Sequence, residues 1–205
     1  RPGYGWLSEE TEDDPAQRTH DTVFVVDPID GTRAFVGGRP GWCVAAAVVT
    51  HGAVTAAAAY LPVTGELYAA SLGAGATLNG TPLEPSPRHE PVGALVLTGA
   101  RQMAEEHWPG GAPMVERAFR PSLVHRLCLV AGGGADAVLT FRPCWEWDIA
   151  PGALAAAEAG CTVTDSDGHA LRFNATLPRL PGIIVAPPVL HDALMARRRG
   201  PRARR

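Results

Sequence analysis

The first half of the chain consists of short apolar runs broken at regular intervals. Residues 23–27, VFVVD, form an apolar run that ends on a carboxylate. Residues 42–70 contain further apolar runs, separated by turn signals such as His51-Gly52, at the spacing of antiparallel strands. We therefore predict a β-meander here, followed by a tight hairpin at Asn79-Gly80.

The second half alternates between strand-like and helix-like segments. LVHRLCLVA at 123–131 and WDIAPGALAAAEAG at 147–160 are predicted helices. The second has a proline in its first turn, where proline is tolerated, and is predicted to end at Gly160. Strands are predicted in ALVLTGA, DAVLTF, CTVTDSDGHAL and GIIVAP. This alternation is typical of a layered α/β arrangement.

The predicted elements fall into two halves and a tail. Residues 84–93, EPSPRHEPVG, are the best candidate for a boundary. We predict an antiparallel-sheet half over 1–90, an α/β half over 91–196, and a disordered Arg-rich tail over 197–205.

Charge is distributed unevenly along the chain. There are 18 basic and 21 acidic residues, a formal net charge of −3, and six of the arginines lie in residues 197–205. The remainder is therefore strongly acidic, which disfavours nucleic acid as the main partner and suits hard cations. Nucleic-acid binding through the tail is an alternative, although runs of like charge are more often solvated and disordered. No apolar run approaches the roughly 20 residues that span a bilayer, so we expect a cytoplasmic protein without a membrane partner.

Cysteine and histidine give no sign of a catalytic or metal motif. Cys43, Cys128, Cys144 and Cys161 are far apart, and no C-x-x-C, H-x-H or H-E-x-x-H motif occurs. Each cysteine has apolar neighbours, so buried free thiols are favoured over disulfides or zinc ligands.

Carboxylates at three places indicate a different chemistry. The acidic positions are Glu9 and Glu10 ahead of the first strand, Asp27 and Asp30 at its end, and Asp148 at a helix start. Taken alone, each group has a simpler explanation. The two glutamates could be a solvated surface pair, the two strand-end aspartates part of a Pro-x-Asp-Gly turn, and Asp148 a helix cap. Together they suit Mg²⁺, which takes several oxygen ligands and commonly joins carboxylates to substrate phosphate.

The DPIDGT segment, residues 27–32, could itself form part of such a site. Its proline bend can bring the two aspartates to one side and turn the Ile29 carbonyl inward as a neutral oxygen ligand. Gly31 and Thr32 open a short helical turn, TRAF, whose free N–H groups could hold a phosphate.

Three stretches together resemble the inositol monophosphatase superfamily of magnesium-dependent, lithium-sensitive phosphomonoesterases. They are LSEET, VVDPIDGTRAF and EWDIAPGALAAAEAG, in the family's order. The resemblance runs from Leu7 to about Pro187. It implies a layered αβαβα sandwich of the sugar-phosphatase type. The helices that precede the SEE glutamates in the family are absent from these 205 residues, so we expect part of the first sheet to be exposed.

The resemblance also implies a ligand set, carried over residue by residue. Glu9, Asp27 and the Ile29 carbonyl would hold a first Mg²⁺, and Asp27, Asp30 and Asp148 a second, with two or three ions per site. Glu9 and Thr32 would orient a metal-activated water for in-line attack, with Asp27 in the catalytic group. Asp30, Gly31, Thr32 and Asp148 would contact the substrate phosphate. In the family, the residue at the position of Glu10 lies beside the site.

The resemblance narrows the substrate only in part. Phe141 stands where inositol-specific members carry a sugar-binding Glu, whereas CWEWD, with Glu146, and GTRAF look like the bacterial 3′(2′),5′-bisphosphate nucleotidase branch. Arg126 falls where that branch places a basic residue that could meet a second phosphate, and Arg101 lies near another such position.

We therefore expect a hydrolase acting on a small phosphorylated metabolite, with 3′-phosphoadenosine 5′-phosphate preferred. Inositol 1-phosphate, histidinol phosphate or a sugar bisphosphate are alternatives. A catalytically decayed, metal-binding family member is a further reading. A homodimer is a candidate assembly.

Overall fold

The computed structural model describes residues 3–200. The first of its sheets has seven strands whose spatial order follows the chain. Their bounds are β1 Gly5–Ser8, β2 Thr22–Asp30, β3 Cys43–Thr50, β4 Ala53–Leu61, β5 Glu66–Ser71, β6 Gly75–Leu78 and β7 Thr81–Pro82.

Strand β1 runs parallel to β2, and the other neighbouring pairs are antiparallel. The predicted meander is confirmed by β3, β4 and β5. The predicted hairpin is confirmed between β6 and β7, where Asn79 and Gly80 adopt φ values of 49° and 83°, as a tight two-residue turn requires.

The remaining strands belong to the second half of the chain. Their bounds are β8 Leu95–Leu97, β9 Glu116–Ala118, β10 Ala137–Thr140, β11 Cys144–Trp145, β12 Thr162–Thr164, β13 Arg179–Leu180 and β14 Ile183–Ala186. Five of them form a mixed sheet in the order β12-β14-β10-β8-β9, while β11 and β13 pair separately.

Four α-helices accompany the sheets: α1 Thr32–Val36, α2 Leu123–Ala131, α3 Ala150–Glu158 and α4 Pro188–Arg199. Single 3₁₀ turns lie at Pro15–Arg18, Ala100–Met103 and Glu105–His107. Helix α2 has the bounds predicted from the sequence. Helix α3 begins two residues after Asp148 and has its proline in the first turn, as predicted.

Helices α2 and α3 fill the space between the two sheets. Alternate residues of β2 and β3, such as Val23, Val25, Ala45 and Ala47, are buried, and they share one core cluster with α2, α3 and the inner face of the second sheet. A second cluster joins the other face of that sheet to α4. The described layers therefore run sheet, helices, sheet, helix, which confirms the α/β class and matches four layers of the expected αβαβα sandwich.

The outer face of the first sheet is apolar and partly exposed. Val44, Tyr60 and Leu67 are neighbours across three strands, and each is 43% exposed. Exposure of part of this sheet was expected from the family resemblance, and it is confirmed for the described residues.

The sequence-based prediction of a disordered tail is wrong at its start. Residues 197–199 are the last turn of α4. The Arg198 guanidinium donates to the His107 carbonyl at 2.9 Å and the Ser166 carbonyl at 3.1 Å and lies over the Phe141 ring. The Arg198 side chain is ordered because two carbonyl acceptors and an aromatic ring lie within its reach. Helix α4, which carries it, is itself anchored by its apolar side. The rest of the predicted tail, 201–205, lies outside the described residues.

The four cysteines are buried and unpaired, which confirms the prediction of free thiols. No helix among residues 3–200 is both long and apolar enough to cross a membrane.

Helices α2 and α3 approach closely because α3 has a glycine at the contact. A Cβ added to Gly152 would lie 2.5 Å from the Leu127 Cβ and 3.0 Å from the Val124 carbonyl oxygen. Interiors packed this tightly do not accept an added side chain without displacement of their neighbours.

Replacing Gly152 by Val is therefore expected to lower the free energy of unfolding by about 1–3 kcal/mol, because overpacking outweighs the small gain in helix propensity. Urea unfolding measures this. Gly99→Val is the matched control, because Gly99 has extended backbone and a Cβ there meets nothing within 4 Å. Equal losses in the two variants would contradict the packing argument.

Candidate metal centre

Two parallel strands bring the first acidic residues to one edge of the sheet. Ser8 at the end of β1 is in register with Val26 of β2, so Glu9 and Asp27 come next on neighbouring strands. Beyond Asp27 the pairing with β3 is irregular until Asp30, because Pro28 has no N–H to donate to the ladder. The bend leaves both aspartates at the carboxyl end of β2.

Asp148 joins these residues from the other half of the chain. It lies between β11 and α3, in a turn where the Glu146 carbonyl accepts the N–H groups of Ile149 and Ala150 at 3.1 and 2.8 Å. Carboxylate oxygens of Asp27, Asp30 and Asp148 all lie within 4.8 Å of one another. The structure thus brings together three acidic residues that the sequence separates by up to 121 positions.

Asp30 also joins the two halves through hydrogen bonds. Its Oδ2 accepts hydrogen bonds from the Ser122 hydroxyl at 2.6 Å and from the Val124 N–H at 2.7 Å. Ser122 in turn caps α2, since its Oγ accepts the His125 N–H at 2.8 Å. One oxygen of this buried carboxylate is therefore held by the start of α2, and the other stays available to the cluster.

The DPIDGT turn is fixed by bonds between its own groups. Asp27 Oδ1 accepts the Ile29 N–H at 2.9 Å, and the Thr32 hydroxyl donates to the Ile29 carbonyl at 3.1 Å. A carbonyl oxygen has two lone pairs, so Ile29 can still offer one to a cation. Because its single proton is already donated, Thr32 Oγ1 faces other groups as an acceptor.

Gly31 is required at the junction between β2 and α1. Its φ is +95°, and an added Cβ would lie 3.3 Å from the Gly41 carbonyl oxygen and the Ser122 nitrogen. Helix α1 begins at the next residue, and the Ala34 N–H donates to the Gly31 carbonyl at 2.8 Å. The N–H groups of Thr32 and Arg33 precede that first helical bond.

Burial raises the pKa of all three carboxyls, and repulsion from neighbouring carboxylates adds to the shift at Asp27 and Asp148. Burial first, then the charges of Asp30 and Glu9, raises the pKa of Asp27 from 3.8 to about 8. Burial and the same two charges raise the pKa of Asp148 to about 7. The pKa of Asp30 is also raised by burial, although the hydrogen bonds from Ser122 and Val124 oppose the shift.

The donor set fits a hard divalent cation. Three carboxylates crowd one buried place, a backbone carbonyl is adjacent, and no His or Cys takes part. Oxygen-only ligation of this kind suits Mg²⁺ or Ca²⁺ rather than zinc. Glu9, Asp27, Ile29, Asp30 and Asp148 are the residues that could hold it.

These residues open into one cavity of about 530 Å³, within the range of roughly 300–1,000 Å³ usual for small-molecule sites. Every metal residue predicted from the sequence lines it, together with Gly31 and Thr32. The cavity wall is completed by Arg33, Ala34, Arg39, Phe119 and Pro121.

Five residues considered from the sequence do not line this cavity, and one of them, Glu146, is fully buried elsewhere. Arg126 is buried, and its guanidinium donates to the Arg120 and Pro121 carbonyls at 2.7 and 3.1 Å beneath the Phe119 ring. This geometry makes it a support for the 119–121 segment, and the expected contact with a second phosphate gains no support from it.

The other three lie elsewhere. Phe141 packs against Trp108 on the α4 side of the second sheet. Glu10 and Arg101 are exposed, and neither side chain lines the cavity.

A buried network attaches the segment after Glu9 to the second half. Arg18 forms a bidentate pair with Asp13, at 2.6 and 2.8 Å, and donates to the carbonyls of Ala175 and Thr176. Glu146, which is fully buried, accepts the N–H groups of Asn174 and Ala175 at 2.7 and 3.1 Å. Residues 174–176 are thus held from both sides.

The sequence left several site residues unidentified. Ser122 stands before a predicted helix, so its capping role could have been inferred, but its bond to Asp30 depends on tertiary contact. Arg33 lies inside the VVDPIDGTRAF stretch, but no role was predicted for it. Arg39 and Phe119 reach the cavity only through folding, and no local pattern marks them.

A second acidic group, Asp165, Asp167 and His169, also has ligand atoms within 4.8 Å of one another. It lies in a partly exposed turn whose N–H groups are bonded to Asp165, and it does not line the cavity.

The layered α/β fold thus gathers acidic groups from two strand ends and a helix start into a candidate carboxylate metal site. The family model described as "Inositol monophosphatase family" matches residues 1–201. The chain belongs to the inositol monophosphatase family, as the sequence motifs indicated.

Individual relatives are named as different phosphatases. An inositol-1-monophosphatase of Rhizobium meliloti (strain 1021) is 34% identical over 182 residues, which is 82% of this chain and 65% of that protein. A 3′-phosphoadenosine 5′-phosphate phosphatase of Mycobacterium bovis is 31% identical over 195 residues, 90% of this chain and 69% of that one. The chain thus spans about two thirds of the length of these relatives.

Among solved structures, the extragenic suppressor protein suhB from Bartonella henselae superposes with a TM-score of 0.79 at 28% identity. The match covers 95% of this chain and 79% of that one.

The pKa shifts predict how stability depends on pH in the absence of metal. Between pH 4 and 8 the folded state retains the Asp27 proton that the unfolded chain releases, so the free energy of unfolding falls as pH rises, by up to about 1.4 kcal/mol per unit for one such group. Thermal unfolding in a chelator between pH 5.5 and 8.5 measures this, and Mg²⁺ should restore stability most at the high end.

The variant Asp27→Asn should flatten that pH dependence. The matched control is Asp21→Asn, because the Asp21 side chain is 84% exposed, and it should keep the wild-type slope. A wild-type slope in Asp27→Asn would show that the carboxylate cluster is not its source.

Proposed function

We propose that this protein is a Mg²⁺-dependent phosphomonoesterase that hydrolyses a small phosphorylated metabolite. The proposal depends mainly on the convergence of Asp27, Asp30 and Asp148 within 4.8 Å, in a cavity that Glu9 and Thr32 also line. Membership of a family whose named relatives include two phosphatases supports it.

The metal ligands divide their oxygen atoms between the protein and the cation. Asp27 Oδ1 and Asp30 Oδ2 are occupied by Ile29, Ser122 and Val124. Their second oxygens, with Asp148, Glu9 and the Ile29 carbonyl, would hold Mg²⁺. When bound, Mg²⁺ supplies charge neutralisation at the phosphate and a lowered pKa for a water molecule.

Thr32 and Glu9 would orient the attacking water. The Thr32 hydroxyl has committed its proton to Ile29, so its oxygen accepts a hydrogen bond from that water. Glu9 accepts the second proton as general base. A lone pair of this water would then attack the phosphorus, the P–O bond to the alcohol would break, and the leaving alkoxide would take up a proton from solvent.

Gly31 and Thr32 would bind the non-bridging phosphate oxygens through their N–H groups. The left-handed backbone at Gly31 lets the chain turn from β2 into α1 within one residue. Phosphate then lies next to the metal ligands of the same turn, which lowers the entropic cost of aligning it with the water.

For the substrate we favour 3′-phosphoadenosine 5′-phosphate. The named Mycobacterium phosphatase covers 90% of the chain, and the cavity volume suits a nucleotide. Inositol 1-phosphate is the second candidate, because the Rhizobium relative carries that activity in its name.

Phosphate release from 3′-phosphoadenosine 5′-phosphate, inositol 1-phosphate and histidinol phosphate tests the proposal. Turnover should require Mg²⁺, and Asp27→Asn and Asp148→Asn should each lower kcat by about 100-fold or more, since each removes a metal ligand. Asp167→Asn, in the other acidic group, is the matched control and should keep wild-type activity. Absence of Mg²⁺-dependent release from every substrate, with Mg²⁺ binding intact by calorimetry, would identify a decayed member instead.

A further inference from the structure

Two arginines line the cavity beside the carboxylates. Arg33 lies in the first turn of α1, and Arg39 follows the glycine pair that ends this helix. The Arg39 N–H donates to the Ala34 carbonyl at 2.9 Å, which folds the chain back along α1. Both exposed residues therefore line the same cavity as the proposed metal ligands.

Gly37 leaves room for the Arg39 side chain. A Cβ added there would lie 3.2 Å from Arg39 Nε and 3.2 Å from the Arg33 carbonyl oxygen. The φ of Gly37 is −80°, a value open to any residue, so space rather than backbone conformation favours glycine here.

Neither guanidinium has a protein partner within residues 3–200. The arginines that form ion pairs there are Arg18, Arg88 and Arg198, and Arg126 is satisfied by carbonyls. Arg33 and Arg39 form neither kind of contact, although four carboxylates line the same cavity. Their charges are free to bind a ligand anion.

The acidic and basic groups of the cavity would serve different parts of a ligand. The phosphate that is hydrolysed must lie against the metal ligands and Gly31, since the attacking water is held there. Two arginines that line the same cavity without a carboxylate partner favour another anionic group on the same molecule. The volume of about 530 Å³ accommodates a ligand much larger than one phosphate.

We propose that Arg33 and Arg39 form a second anion subsite, which binds a phosphate that the enzyme does not hydrolyse and so selects substrates with two separate phosphate groups. This inference rests on the proposed function. It assigns the specificity to α1 and its C-terminal turn, and not to Arg126, whose guanidinium supports the Phe119 segment.

The test compares two substrates that differ in one phosphate, adenosine 3′,5′-bisphosphate and adenosine 3′-phosphate. The measured quantity is the ratio of their kcat/KM values. In Arg33→Gln and Arg39→Gln this ratio should fall by about tenfold or more each, because charged hydrogen bonds to the second phosphate are lost. The loss should appear chiefly as a higher KM for the bisphosphate, and Lys variants should recover part of it.

Arg142→Gln is the matched control. Arg142 is exposed, and its charge lowers the pKa of Asp148, but it does not line the cavity. Its loss should leave the substrate ratio at the wild-type value. An equal fall in this variant would assign the preference to the general field of positive charge and overturn the subsite.

The remaining outcomes separate this inference from the proposed function. If Arg33→Gln and Arg39→Gln reduce kcat/KM equally for both substrates, the arginines act on the reacting phosphate and the second subsite is wrong. If the wild type hydrolyses both substrates equally well, the subsite is wrong while the phosphatase stands. Mg²⁺-independent or absent release from both would reject the proposed function itself.

Discussion

The structure depends on holding like charges together in a place with little water. Asp27 is 1% exposed, and one of its carboxyl oxygens lies within 4.8 Å of an oxygen of Asp30 and an oxygen of Asp148. Such a group is stable only when protonated or shared with a cation. The raised pKa values of Asp27 and Asp148 reflect the cost of ionising these buried, neighbouring carboxyls. A divalent cation between the carboxylates would remove this repulsion. The other features of the site are the contacts that keep these carboxylates in place.

The contacts that hold the carboxylates in place come from both halves of the chain. In the part of the chain that the structure describes, β1 and β2 are the one parallel pair of the first sheet, which is why Glu9 and Asp27 meet at a shared edge. Asp30 is bonded to the start of α2, and Asp148 lies at the start of α3, whose contact with α2 is close enough to need Gly152. The site is thus stabilised by the packing of the layers that it joins.

Much of this was predictable from sequence, because the strongest signals are local. The meander, the Asn79-Gly80 hairpin and the bounds of α2 follow from periodicity and turn chemistry, and the DPIDGT segment indicated oxygen ligation through its residue types. The errors and omissions share one cause. Arg198 looked like part of a solvated tail, and Arg39 was not considered, while the substrate contact predicted for Arg126 stays a prediction. Whether an arginine is ordered, buried or free depends on carbonyls and aromatic rings distant in sequence, which local composition does not encode.

The hydrogen bonds of Arg18 have a consequence for cation exchange at the proposed Mg²⁺ site. Its bonds to Asp13 and to residues 175–176 anchor the loop after Glu9, and the β1 register anchors the other side of that residue. The backbone on both sides of Glu9 is therefore held by contacts that do not depend on a bound ion. If Mg²⁺ binds there as proposed, the rate of cation exchange should be limited by how quickly the hydrated ion loses its water molecules.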